Sequence, residues 1–223
     1  MGMEPYGAEE PGVESGSSVT DRELDIPLDQ ARKHAFFWVH LFGMFLLGFV
    51  CSAPLRQIFP YVTDLHDATL AATIVALYSF VGIFGKLLLG WITDRIGPIY
   101  GAMFAFSLMA LSFALLIGGE DRMLLYVMAC VYGVGNAVGS VSAPLLISGT
   151  FGTRDFNLMR GIAQSPIQLG MSLGGLALAG VFDLIGSYVP GWGACIVLSL
   201  LAGGCFIWSY ASSRKIFATQ MAV

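Results

Sequence analysis

Gly90-Trp91-Ile92-Thr93-Asp94-Arg95-Ile96-Gly97-Pro98 is a charged turn set between two long apolar runs, and its reading decides how the chain is folded. Glycine at either end permits close helix packing and a sharp reversal, while Pro98 suits the first turn of a following helix. An Asp-Arg pair in that setting predicts a tight, charged, cytoplasmic hairpin between two membrane helices.

The composition of the chain agrees. Of 223 residues 56% are hydrophobic and 12% charged, and the mean hydropathy is +0.75. Soluble domains of this size do not reach such values, so an integral membrane protein is expected. Charge is spread unevenly: eight of the 15 acidic residues (Glu4, Glu9, Glu10, Glu14, Asp21, Glu23, Asp25 and Asp29) precede His34. The net charge of -4 therefore describes an N-terminal tail rather than a binding surface, and no nucleic-acid partner is expected.

Residues 1–33 are rich in Gly, Ser, Pro and acid and cannot bury enough apolar surface to fold alone. They read as an acidic disordered tail or linker, with a short interfacial helix at its end over 25–33, where Pro27 and Asp29 suit a first turn and Arg32 and Lys33 a membrane surface. The acidic start does not fit a cleavable signal peptide, so the first apolar run would act as its own insertion signal.

From Ala35 the chain divides into runs of roughly 20 residues or more, the length that crosses about 30 Å of hydrocarbon. They fall at about 35–59, 68–92, 98–118, 122–148, 161–185 and 190–211, giving a six-helix transmembrane bundle over 34–213 and a cytoplasmic tail over 214–223. The runs are rich in Gly and Ala and lack period-two alternation, which favours helices over a barrel. Asp64 or Asp67 can cap the second span, Glu120 and Asp121 stand at the start of the fourth, and Pro190 opens the sixth.

Six spans put both termini on one side. Arg22, Arg32, Lys33, Lys86, Arg95, Arg154, Arg160, Arg214 and Lys215 fall on that side, against Arg56 and Arg122 opposite. The positive-inside bias then makes both termini cytoplasmic, in a multi-pass protein of the cell membrane.

Cys51, Cys130, Cys195 and Cys205 all lie inside apolar runs, at spacings that match no zinc or redox pattern. No phosphate loop, nucleophile elbow or metal-binding His pair occurs, so no catalytic residue, metal or cofactor is expected and an enzyme is improbable. His40, a lone imidazole in the first span, reads first as a helix-packing or interfacial residue and only second as a ligand or proton carrier.

The string from Gly90 to Pro98 resembles the signature loop of major facilitator superfamily transporters. A second region adds to the likeness: Gly133-Val134-Gly135-Asn136 and Pro144, then Phe151-Gly152-Thr153-Arg154-Asp155-Phe156, then Gly161, Gln164, Gly170, Gly174 and Gly175, and finally Phe182-Asp183-Leu184-Ile185-Gly186-Ser187-Tyr188. That order looks like the last helices of the oxalate/formate antiporter and monocarboxylate porter relatives, and the likeness covers about 28–214. It implies an all-α membrane fold equivalent to the second, six-helix half of a twelve-helix transporter, with the substrate path between the halves. It also implies a secondary transporter, antiporter or symporter, moving a small organic solute, with an N-terminal half or a homodimer partner beside it and the lipid bilayer around it. The alternatives are a non-transporting membrane sensor or interaction protein, or an inactive fragment.

On that mapping the first, second, fourth and fifth spans face the cavity. Asp94 would help close the cytoplasmic gate with Arg95 holding the loop between Gly90 and Gly97; the plainer reading anchors the hairpin in the headgroups. Gly135-xxx-Gly139 and Gly170-xxx-Gly174 permit close helix approach.

Substrate chemistry should lie in polar residues at membrane depth. Asn136, Gln164 and Gln168 are candidates, and the two glutamines, four apart, share a helical face. Arg56 reads as an interfacial arginine or as an attractor of anions at the outer mouth, and Asp183 lies near the outer end of the fifth span. Lys86, near the expected cytoplasmic end of the second span, reads first as a snorkelling side chain. The carboxylate transporters that the chain resembles use deep cations in the equivalents of the second and fifth spans. None is expected here, which leaves a neutral or differently charged solute open.

Overall fold

The computed structural model describes residues 27–152 and 154–220, with side chains as far as Ile216. The expected disordered tail over 1–26, Thr153 and the last residues of the expected C-terminal tail lie outside the described residues. The elements are α1 (Leu28–Ala31), α2 (Ala35–Leu65), α3 (Ala68–Ile96), α4 (Pro98–Ile117), α5 (Arg122–Gly135), a 3-10 turn (Asn136–Gly139), α6 (Ser142–Phe151), α7 (Phe156–Ile185) and α8 (Val189–Gln220). Among the described residues there are six spans long and apolar enough to cross a membrane, α5 and α6 together forming the fourth, and no strand. This is the all-α, six-helix architecture that the hydropathy implied.

Several helices outrun their expected ends, for local reasons. α2 continues to Leu65 through Pro54 and Pro60, because buried residues along its length keep it packed although each proline removes one ladder hydrogen bond. α3 begins where Asp67 caps it, its Oδ1 accepting from the Leu70 amide at 2.7 Å, and α5 begins where Asp121 accepts from the Met123 amide at 2.8 Å. α3 then runs through Asp94 and Arg95 to Ile96, so the signature string is the last turn of a helix and not a loop. Gly97 alone makes the reversal, at φ 92°, with its amide closing on the Thr93 carbonyl at 2.8 Å and Pro98 opening α4.

The fourth span breaks in its middle. Pro144 cannot donate to Ser140 and its ring crowds that carbonyl, and the chain tightens into 3-10 geometry over Asn136–Gly139 before α6 resumes. Such a break is tolerated at membrane depth where the freed backbone lines a cavity.

The helices pack as neighbours α2 with α7 and α8, α3 with α5, and α4 with α5 and α8. The α2–α7 contact is backbone on backbone: a Cβ on Gly48 would meet the Ile167 carbonyl, one on Gly170 the Phe45 carbonyl, and one on Gly174 the Phe49 carbonyl. With little hydrophobic drive between helices in lipid, such close approach is what holds them. Gln57 adds a hydrogen bond across the same seam, donating to the Gly175 carbonyl at 3.1 Å. At the terminus-bearing end the Leu28 amide donates to Asp155 at 3.1 Å, tying α1 to the start of α7, and Asp29 pairs with Arg32 at 2.8 Å.

His40 is buried between α2, α6 and α8, edge-on to Phe151 and Phe206, with Nδ1 3.5 Å from the Ser209 hydroxyl. It faces away from the cavities described below. All four cysteines are free thiols.

Candidate functional site

Two adjoining cavities open on the face formed by α2, α3, α6 and α7. The first, about 220 Å³, is lined by Leu47, Gly48, Cys51 and Leu55 of α2, Lys86 of α3, Asn136, Gly139 and Ser140 at the break, and Ile167 and Met171 of α7. The second, about 280 Å³, shares Gly139, Ser140, Ile167 and Met171 with it and adds Ala143, Pro144, Ile147, Arg160 and Gln164. Together they form one groove whose polar positions are Lys86, Asn136, Ser140, Gln164 and Arg160, with no carboxylate among its lining residues.

Lys86 stands further from the end of its helix than sequence reasoning placed it, and its side chain is exposed on the open face. Because α3 reaches Ile96, Lys86 stands ten residues before its end, about 15 Å along the axis. Its side chain borders a cavity, and no carboxylate pairs with it among the described residues. The helix expected to end at Ile92 continues to Ile96, with Thr93 buried, its hydroxyl donating to the Leu89 carbonyl at 2.7 Å and Gly101 packed against it.

Asn136 and Gln164, both candidates from sequence, line the groove, one in each cavity. Gln168 does not line either one and is exposed. A step of four residues turns a helix by about 40° past a full revolution, so it is Ile167 and Met171, three and seven residues after Gln164, that continue the wall. Arg56 is also outside the groove; its stem lies against Gly175 toward the other end of α2. Ser140 and Arg160 were not singled out from sequence as site residues. The spacing Asn136, Ser140, Pro144, with polar residues one turn apart ahead of a proline, was the signal for the first.

At the terminus-bearing end, Asp94 is exposed and in no ion pair among the described residues. Arg95 turns away from it and lies over the Trp91 ring, 4.6 Å from its centroid. A Cβ on Gly90 would meet nothing within 4 Å, so the close packing expected at that glycine is not made among the described residues.

At the opposite end a larger cleft, about 690 Å³, is walled by Tyr61, Asp64, Leu65, Ile117, Glu120, Phe182 and the turn from Gly186 to Val189. Tyr188 stacks on Phe182 at 4.3 Å and meets Tyr61 edge-on at 5.5 Å. Burial, and then the nearby charges of Asp64 and Asp183, push the Tyr188 hydroxyl above its ordinary pKa. No Lys or Arg lines this cleft. Arg122 instead reaches Asp67 at 3.5 Å.

A sequence model of the Major Facilitator Superfamily matches residues 37–220, from the first turn of α2 to the end of α8. No curated protein matches the chain.

Proposed function

We propose that this chain, which belongs to the Major Facilitator Superfamily and is a multi-pass membrane transporter, moves a small organic anion by alternating access. The observation that carries the anion is Lys86. An ammonium about 15 Å from the end of its helix is costly to hold there unless something of opposite charge meets it. The groove around it offers amides and hydroxyls but no carboxylate, and the second cation, Arg160, borders the adjoining cavity. A carboxylate bound between them would satisfy Lys86 and take hydrogen bonds from Asn136 and Ser140. On this reading Lys86 would take the part of the cation that carboxylate carriers of the kind the sequence resembles use in the equivalent helix.

The break at Asn136–Gly139 supports movement as well as binding. A helix broken in the middle of its span, between two half-helices, is how transporters of this construction line a site and rock around it. The six spans would act as the second half of such a fold, with both termini cytoplasmic and the groove covered by a first half or by a second copy. Asp94 fits a gate in that arrangement. A carboxylate in the last turn of α3 faces the negative end of the helix dipole, and a cationic or amide-rich helix end on the other bundle would relieve it when the cytoplasmic side closes.

The test is uptake of labelled mono- and dicarboxylates by the full chain in proteoliposomes, with the organic cation choline as comparison. Uptake of a carboxylate that Lys86→Gln abolishes and Lys86→Arg partly keeps is expected. Uptake of choline with none of any carboxylate would overturn the reading.

A further inference from the structure

A third cavity lies on the other side of the bundle. It is a groove of about 360 Å³ between α4 and α8 at the terminus-bearing end, lined among others by Pro98, Tyr100, Met103, Ile207, Tyr210 and Arg214. Neither α4 nor α8 contributes a residue to the transport groove, so this surface stays turned to the bilayer whatever covers the other face. Its walls are apolar and open: Tyr100 is 67% exposed and Ile207 45%.

The chemistry of the groove is ordered along the membrane normal. Arg214 stands at its mouth, its guanidinium 4.9 Å over the Tyr210 ring, and no carboxylate pairs with it among the described residues. One turn deeper comes Tyr210 itself; Ile207 lies seven residues, about 10 Å, below the arginine. On the facing helix Met103 lies about 7 Å deeper than Pro98. Cation, aromatic ring, then aliphatic side chains repeats the order of a phospholipid's phosphate, glycerol-ester region and acyl chain. Arg95 over Trp91, on the preceding helix at the same end, marks the same headgroup level.

We propose that the α4–α8 groove binds one anionic phospholipid of the leaflet at the terminus-bearing end, its phosphate held by Arg214 and an acyl chain laid against Met103 and Ile207. Charge complementarity selects the occupant. A guanidinium with no acidic partner among the described residues, at headgroup depth, favours lipids with net negative charge, by about fivefold for one basic residue. The planar fork stacked on tyrosine suits a phosphate better than an ammonium would.

Native mass spectrometry of the full chain in detergent, titrated with equal phosphatidylglycerol and phosphatidylcholine of identical chains, tests this. The wild type should retain phosphatidylglycerol about fivefold over phosphatidylcholine. Arg214→Gln should bring the ratio to one, with Arg214→Lys intermediate and Arg122→Gln, at the opposite end, unchanged. Ile207→Trp, which fills the groove without touching charge, should lower retention of both lipids, and it carries the test if Arg214→Gln is not monodisperse. Inorganic phosphate should not compete. Equal retention of the two lipids by the wild type, or an undiminished preference in Arg214→Gln, would overturn the proposal; competition by free phosphate would replace the lipid with a soluble anion.

Discussion

The groove around Lys86 and the cleft around Asp64 carry opposite charge at opposite depths. The first holds Lys86 and Arg160 with no carboxylate, and the second Asp64 and Glu120 with no Lys or Arg. Their weight differs because their surroundings differ. Charges at membrane depth act through a low dielectric and are barely screened, whereas exposed carboxylates at a mouth lose most of their reach within about 8 Å at physiological salt. On the proposed reading Lys86, which lies further from the end of its helix than Arg160 does, would decide what binds, and the outer acids only how fast it arrives.

The sharpest way to break this contrast is at Lys86. Lys86→Gln should lower carboxylate uptake by about 100-fold or more, since a charged partner lost from a desolvated site costs about 2–5 kcal/mol. Lys86→Arg, which keeps the charge, should recover part of it.

Next in size is the seam that shapes the groove. In Gly170→Ala the new methyl would run into the Phe45 carbonyl and the Phe49 amide, backbone atoms that cannot rotate away. A loss of about 1–3 kcal/mol is expected, read as a lowered thermal midpoint in detergent. Gly161→Ala, on the same helix but in open space, should leave the midpoint unchanged or raise it. Asn136→Ala should cost about tenfold in apparent affinity with little change in maximal rate, the size of one hydrogen bond to a charged ligand. Least of all, Asp64→Asn combined with Glu120→Gln should speed initial anion uptake about threefold in dilute buffer, and the gain should vanish at about 0.5 M salt. A gain that survived high salt would mean that the outer acids touch the solute directly.

The spans were plain in the sequence because hydropathy over 20 residues overrides local detail. The depth of Lys86 was not, and the reason is physical. Thr93-Asp94-Arg95 has the composition of a loop, but its backbone stays helical with Thr93 buried, and a single glycine at φ 92° does all the turning. Four further residues of helix set Lys86 about 15 Å from its end. Asn136 was legible as a polar residue in a span, but the 3-10 break beside it depends on Pro144, eight residues later, and on cavity space that no linear pattern displays. Of the two glutamines, helical phase alone separates Gln164 from Gln168, and that requires knowing where α2 lies.

Gly97 leaves no slack between α3 and α4. The peptide on one side of it ends the helix that carries Lys86, and Pro98 on the other side walls the lipid-facing groove. With Gly101 seated against Thr93, the two helices form a stiff elbow and not a pair of tethered rods. If α3 tilts with the solute, as the proposed function requires, it would swing the wall formed by Pro98. On the two proposals together, the bilayer's headgroup chemistry and the cargo would push on the two arms of one lever.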